Sequence, residues 1–415
     1  MFLETILKFE VPIKIGVMLG GVMTAAAYFV LLERRMAAWI QDRVGPNRVG
    51  IPLTKIRLFG LGQPLADGLK FIMKEEFTPS HVDKQMFRLA PIVILTAALA
   101  VFAVIPFGSV IPSLVDGEPI ELVVAPGIDV GLIYIFALSS IAVYGVILGG
   151  WASNNKYSFL GGLRSSAQLI AYELPLGLGI LGVVAATGSL NLQQIIQHQA
   201  NSGLWFAFAQ PLGFVVFVTA AFAESARLPF DLPECEQELI GGYHTEYSGM
   251  KLLLFLIAEF LHLVTAAFLI VMLFLGGWHF WLITGSDNDI GWFTALIRVT
   301  VLCVKIFFVV AFFMLVRWSW PRFRFDQLMS LAWKVMLPLG IFNFMAVAFI
   351  DQIGRLFIVP LFSDEAFGEI AASWMMVVPS ALVFVAALFV VAKMHPHVAD
   401  NRPHRSFSPG IDSQL

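Results

Sequence analysis

Residues Leu252–Ile283 read LLLFLIAEFLHLVTAAFLIVMLFLGGWHFWLI, thirty-two positions with one carboxylate, Glu259, and no lysine or arginine. A helix that crosses the hydrocarbon of a bilayer needs about 20 mostly apolar residues. This stretch exceeds that length, enough to tilt or to extend past the bilayer. Eight further runs of similar character occur: Val11–Leu32, Leu89–Ile111, Val130–Ala152, Leu169–Leu190, Leu204–Ala223, Val299–Val316, Val335–Ile350 and Ala371–Ala392. Strands of alternating polarity are absent, which argues against a β-barrel. The expected fold is therefore all-α: a polytopic transmembrane helix bundle.

Composition agrees. Of the 415 residues 58% are hydrophobic and 13% charged, with a mean hydropathy of +0.82. A soluble domain carries roughly 25% charged residues. The net charge of −3 gives no reason to expect nucleic acid as a partner. Cys235 and Cys303 stand far apart without metal-ligand spacing. No glycine-rich phosphate loop, HExxH, GxSxG or cysteine cluster is present, so any redox chemistry must come from a neighbouring chain. The first run lacks a small-residue cleavage pattern and reads as a retained helix.

Basic residues supply an orientation. Loops 33–88, 153–168, 224–251 and 317–334 carry Arg34, Arg35, Lys70, Lys156, Arg227, Arg317, Arg322, Arg324 and Lys334 among others, while Pro112–Asp129, Asn191–Gly203 and Thr284–Gly291 contain no lysine or arginine. The positive-inside rule places the basic loops in the cytoplasm and the N-terminus outside. One transmembrane domain, 1–393, is expected, followed by a polar tail, 394–415, of disordered composition. Within the first loop, Leu61–Phe71 alternates apolar and polar residues as an amphipathic helix lying at the interface would. No internal repeat or broken midplane helix of the secondary-transporter kind is visible.

An ionisable residue inside a span costs at least ~2.5–3.5 kcal/mol to insert and is a functional candidate by default. Glu173 lies in LIAYELPLGLGILG, where it either works inside the bundle or reaches back to the interface. Glu259 and His262 share a helix face, and Lys305 in VTVLCVKIFFVV could pair with Glu259. The densest signal is the loop after the fifth run, where Glu224, Asp231, Glu234, Glu236, Glu238 and Glu246 accompany one arginine, Arg227. If desolvated, such neighbours raise one another's pKa and can hold protons near neutral pH; if not, they form an ordinary solvated acidic loop. The interleaved Leu228, Phe230, Leu232, Leu239, Ile240, Tyr243 and Tyr247 favour burial. The segment RWSWPRFRFD, Arg317–Asp326, could bind lipid headgroups, orient an acidic partner, or meet carboxylates such as Glu33 and Asp67.

Five blocks carry a family resemblance: ERRMAAWIQDRVGPNRVG (Glu33–Gly50), QPLADGLKFIMKEE (Gln63–Glu76), GWASNNKYSFLGGLRSSAQLIAYELPLGL (Gly150–Leu178), LPFDLPECEQELIGGYHTEYSGMK (Leu228–Lys251) and PRFRFDQLM (Pro321–Met329). In order and spacing they resemble the H-subunit family of NADH–quinone oxidoreductase, respiratory complex I, over Val11 to about Ile350. The resemblance implies a membrane subunit of the bacterial inner membrane, without an independent redox centre, that forms a quinone chamber with the peripheral arm. Quinone would be the substrate, and iron–sulfur clusters and FMN would sit in partner subunits. The partners implied are peripheral-arm iron–sulfur subunits, small and antiporter-like membrane subunits, and lipid. By motif position Glu33, Arg34, Asp67, Lys70, Arg317, Arg322 and Arg324 look like chamber or junction residues. Glu173, Glu224, Asp231, Glu234, Glu236, Glu238, Glu246 and Glu259 look like a proton relay toward the pumping subunits.

Two departures stand out. Where the family often has Glu-Thr-Asn-Arg, this chain has Glu224-Ser225-Ala226-Arg227. The family usually has eight spans, whereas Ala371–Ala392 reads as a ninth. A homologous subunit of a membrane-bound hydrogenase or formate-linked complex is the nearest alternative, and a stand-alone secondary transporter a more distant one.

Overall fold

The computed structural model describes residues 10–50, 59–112, 119–231, 240–281, 283–284, 291–362 and 365–393. Glu234, Cys235, Glu236 and Glu238 lie outside the described residues. Eight helices among the described residues are long and apolar enough to cross a membrane, and a shorter apolar helix occupies Pro211–Glu224. The chain is a multi-pass membrane bundle built almost entirely of helices among the described residues.

Helix α1, Glu10–Ile40, continues past the expected Leu32 and so carries Glu33 and Arg34 on its last turns. Helix α2, Gln63–Met73, begins with Pro64 in its first turn, where the missing N–H costs nothing. None of its residues is buried, and Leu65, Leu69 and Ile72 are exposed, as an interfacial helix requires. Helix α3, Lys84–Ala100, is capped by Asp83, whose carboxylate accepts from the backbone N–H of Gln85 and Met86. It ends in a 3-10 turn at Ala103 rather than at Ile111. Residues Val110–Ile111 instead pair antiparallel with Ile120–Glu121 in a two-stranded ladder.

Helices α4, Gly131–Ala152, and α5, Lys156–Thr187, form a hairpin. The expected start of α5 at Leu169 is thirteen residues too late (169 − 156 = 13). The polar run Lys156–Gln168 looked like loop, yet its glycines let backbones meet. A methyl at Gly150 would stand 3.2 Å from the Gly162 Cα, and one at Gly161 would stand 2.7 Å from Gly242. Small residues at such crossings are the usual means of close helix packing in lipid.

Helix α6, Leu192–Ser202, and a four-residue turn of helix α7, Phe206–Ala209, precede α8, Pro211–Glu224. The run Leu204–Ala223 is thus a broken helix, interrupted at Gln210, contrary to the expectation that none is broken. Pro211 has no N–H to continue the ladder, and the buried Gln210 side chain donates to Gly182 O at 3.1 Å. Helix α9, Gly249–Phe274, also ends earlier than expected, because Gly276 and Gly277 turn the chain with φ of +72° and +54°. Its second half is buried on every side, which makes it the central helix of the bundle.

Helix α10 covers Trp292–Ser319, and α11, Phe325–Ser330, joins α12, Leu337–Ile353, through a π-helical turn. Helices α13, Glu365–Met375, and α14, Val377–Lys393, supply the ninth apolar segment. Helix α3 packs along α4, α5 against α8 and α12, and α14 against α8. The outward faces carry large exposed apolar side chains such as Leu296, Phe308 and Leu382. A surface of that kind suits lipid.

Candidate functional site: a buried arginine–carboxylate chain

The turn leaving α8 places Arg227 inside the bundle, 3% exposed. Its Nη1 lies 3.2 Å from Glu33 Oε2 on α1, and its Nη2 lies 3.0 Å from Glu259 Oε1 on α9. The guanidinium also covers the Phe260 ring at 4.4 Å. Glu33 takes a second cation, Arg317 of α10, whose Nη1 is 2.5 Å from Oε1. The result is an alternating chain, Glu259–Arg227–Glu33–Arg317, which ties three spans together. Charges this far from water persist only when each has a partner.

Glu259 has a second environment. With Glu173, Glu224, Ser139, Tyr243 and His262 it lines a cavity of about 50 Å³. A water needs ~10–15 Å³ measured in this way, so the cavity has room for a few. Ser139 donates to the Glu224 carboxylate and the adjacent Ser140 to that of Glu173. Glu259 and His262 face the cavity together, as their spacing indicated. Glu173 sits near the middle of α5 and lines this cavity.

Asp231 closes the described part of the loop. It is 6% exposed and lies 3.5 Å from Arg322 Nη2. Burial first, then the nearby Glu259, push its pKa up to about 7, against the opposing pull of Arg322 and Arg227 and with a further rise from Glu33. Its Oδ1 is buried without a hydrogen-bond partner among the described residues, which fits a carboxyl that readily carries a proton. Gln168 fixes the approach to this residue by donating at 2.8 Å to both Ala223 O and Phe230 O. Phe230 in turn stacks on Phe323 at 5.5 Å. The acidic stretch is therefore withdrawn from water at Arg227 and Asp231.

Other candidates stand apart. Arg34 Nη1 on α1 meets Asp67 Oδ2 on α2 at 2.7 Å and Lys70 lies 3.9 Å from Asp67, a mostly exposed cluster that joins the two helices. Asp67 thus takes Arg34 rather than the arginines after α10. Glu246 accepts from Asn155 Nδ2 at 2.6 Å, away from the cavity. Arg324 is exposed and has no carboxylate partner among the described residues. Lys305 does not pair with Glu259. Its Nζ donates to Leu275 O, Gly277 O and His279 O at 2.6, 3.0 and 2.7 Å.

The sequence reading missed Arg227, Ser139 and Ser140 as site residues. Arg227 had a signal, since it is the one cation in an acidic run. The serines had little, because hydroxyls in apolar helices commonly bond their own backbone. Among the described residues no three His, Cys, Asp or Glu side chains could hold a metal ion.

With eight helices among the described residues long and apolar enough to cross a membrane, the fold defines a multi-pass membrane protein. The model of the NADH dehydrogenase family matches residues 13–348. The H subunit of NADH-quinone oxidoreductase from Leptospira biflexa is 46% identical over 338 residues, 80% of this chain and 91% of the relative. An H subunit of the same complex from Geobacter metallireducens is 47% identical over 338 residues, covering 81% and 95%. That of Protochlamydia amoebophila is 46% identical over 326 residues, covering 79% and 93%. The chain belongs to the H-subunit family of NADH-quinone oxidoreductase.

Proposed function

We propose that this subunit forms the quinone chamber of its complex together with a peripheral arm, and that the arginine–carboxylate chain relays quinone chemistry to proton pumping. Glu33, Arg34, Asp67, Lys70, Arg317, Arg322 and Arg324 serve the chamber and its junction. Glu173, Glu224, Asp231 and Glu259 form the relay, with Arg227 as its hub, and Glu234, Glu236, Glu238 and Glu246 extend it. The basic loops face the cytoplasm of a bacterial cell, with the N-terminus outside the inner membrane. Quinone is the substrate; iron–sulfur clusters and FMN belong to partner chains, and antiporter-like subunits receive the relayed charge.

One observation supports this reading above the others: Glu259 belongs both to the ion chain and to the carboxylate-lined cavity. Reducing a quinone to a quinol takes up two electrons and two protons. A proton passing to or from Glu33 changes how much of the Arg227 charge is left for Glu259. At roughly 8 Å and an effective dielectric near 20, a unit charge change is felt as about 2 kcal/mol. That is enough for a change of charge at Glu33 to be felt at Glu259 through the arginine they share.

The experiment is Glu224→Gln with Glu173→Gln in the assembled complex. Electron transfer to quinone should continue while protons pumped per electron fall. An unchanged ratio ends the relay reading.

A further inference from the structure

At the end of the bundle where α5 finishes and α8 begins, a second polar cavity opens between α6, α12 and α13. Its volume is about 170 Å³, and one water needs ~10–15 Å³ on that measure, so several fit. Its walls carry His198 of α6, Asp351 of α12, Arg355 of the π-helical turn Gly354–Ile358, and Glu369 of α13. Arg355 is held by Asp351 at 2.8 Å and donates to Ala186 O at 3.3 Å. Helix α13 comes from beyond residues 13–348, which the family model matches. It is fastened over α6 by Trp374, whose indole N–H donates to Ser202 O at 3.1 Å. The ninth apolar segment thus closes this cavity.

Ala186 and Ala209 also line it. One turn before Ala186 on α5 stands Gly182, and directly after Ala209 comes Gln210, where the helix breaks. Gln210 is fully buried and Asn343 is 2% exposed. Gln210 Oε1 and Asn343 Nδ2 have no hydrogen-bond partner among the described residues. A methyl at Gly182 would stand 2.7 Å from the first and 2.9 Å from the second, and one at Gly213 would stand 2.8 Å from the Asn343 nitrogen. Both atoms thus meet over one glycine, no further apart than a single bridging water spans. An acceptor and a donor buried side by side are costly unless they are joined, and ordered water is the usual remedy.

This place is separate from the carboxylate cavity. Glu173 and Gly182 are nine residues apart on α5 (182 − 173 = 9), about two and a half helical turns, so they lie on opposite faces. Asn343 and Asp351 share the buried face of α12 with Gly340 and Val347. The ionisable cavity and the amide pair therefore lie on one side of α5, one beneath the other.

We infer that this end of the bundle holds a hydrated well: water fills the ionisable cavity, and one further water bridges Gln210 Oε1 to Asn343 Nδ2, so that solvent and its protons reach the break between α7 and α8. The test uses the intact complex in lipid nanodiscs, open to solvent on both faces. A density map that shows ordered water should place a peak within about 3.2 Å of both amide atoms. Asn343→Leu should remove that peak while those beside Asp351 persist. Solvent access is read with silver ion, no larger than a water, through its protection of a cysteine from later alkylation. Ala209→Cys should react at least about ten-fold faster than Ala220→Cys, which is as buried but stands away from the cavity and is reached only by local opening. A direct bond between the two amides, an acyl chain in the cavity, or equal silver rates at the two cysteines overturns the inference. Should Asn343→Leu fail to assemble, the map of the unmodified complex and the Ala209→Cys rate decide on their own.

Discussion

Toward one end of the bundle Arg227 lies between two carboxylates, Glu33 and Glu259, whereas nearer the other Lys305 gives its three hydrogens to three backbone carbonyls. Both cations are held inside a membrane bundle and both are satisfied, but their partners differ in kind. A carboxylate can take a proton and alter the local charge; a carbonyl dipole cannot. On the proposed reading the arginine sits in a circuit whose state can change, while the lysine fastens the glycine turn after α9 and the end of that helix. Buried charge alone is then no sign of a relay; the chemistry of the partner is what separates the two cations.

Removing the hub should have the largest effect. Arg227→Gln leaves Glu259 buried without a cation and Glu33 with Arg317 alone. Breaking a buried pair from one side costs about 3–5 kcal/mol, so little complex should assemble, as read from its yield and thermal midpoint. Adding Glu259→Gln should recover part of that loss, because the stranded charge is then gone. Arg227→Lys should recover little, since an ammonium lacks the planar fork that spans two carboxylates. A stable, active Arg227→Gln complex would break the comparison at its stronger side.

Lys305→Met tests the other side. Buried carbonyls left without donors cost about 1–3 kcal/mol each, and some relax, so a loss of about 2–3 kcal/mol is expected. The complexes that do assemble should pump as many protons per electron as before. A changed ratio would show that Lys305 belongs to the circuit after all.

Much of the first region was legible in the sequence, and the reasons are particular. Apolar runs of membrane length located the spans, and the three-residue spacing of Glu259 and His262 put both on the face that meets the cavity. Glu33 and Arg317 were both singled out, although their contact was only one of several options. The helix starts were harder: the polar run Lys156–Gln168 becomes helix because Gly161 and Gly162 pack against other backbones. The choice of partners was not legible at all. Whether Glu259 meets Lys305 or Arg227 depends on how α9 and α10 are rotated and where the chain turns at Gly276. Those quantities are set by packing across the whole bundle.

Asp231 offers a smaller and more selective probe. Its pKa in the folded chain, about 7, stands above the ordinary value near 3.9. The folded state therefore binds more protons than the unfolded state between those limits. This contribution to stability is complete at low pH and is lost as pH rises through about 7. Arg322 opposes the rise, so Arg322→Ala should move the ionisation to higher pH. It should also weaken quinone reduction while sparing reduction of artificial acceptors by the peripheral arm. Asp231→Asn should remove the ionisation altogether. Carboxyl infrared bands and the pH profile of quinone reduction report the change; coincident profiles for Arg322→Ala and the unchanged chain would deny any coupling between the two residues.

The smallest effect is expected beside the hub. Ala226 holds φ at +50°, a left-handed conformation that asparagine adopts far more readily than alanine. The family pattern given above has asparagine at this position, and the backbone supplies a reason: the turn that swings Arg227 inward needs a residue tolerant of that φ. Ala226→Asn should relieve part of a strain of about 1–2 kcal/mol and raise the thermal midpoint slightly, without altering protons pumped per electron. Ala226→Val, β-branched and ill suited to positive φ, should lower it and loosen the Arg227 contacts to Glu33 and Glu259. If asparagine and valine shift stability in the same direction, the turn is not what holds the arginine in place. The alternating chain must then be maintained by its charges alone.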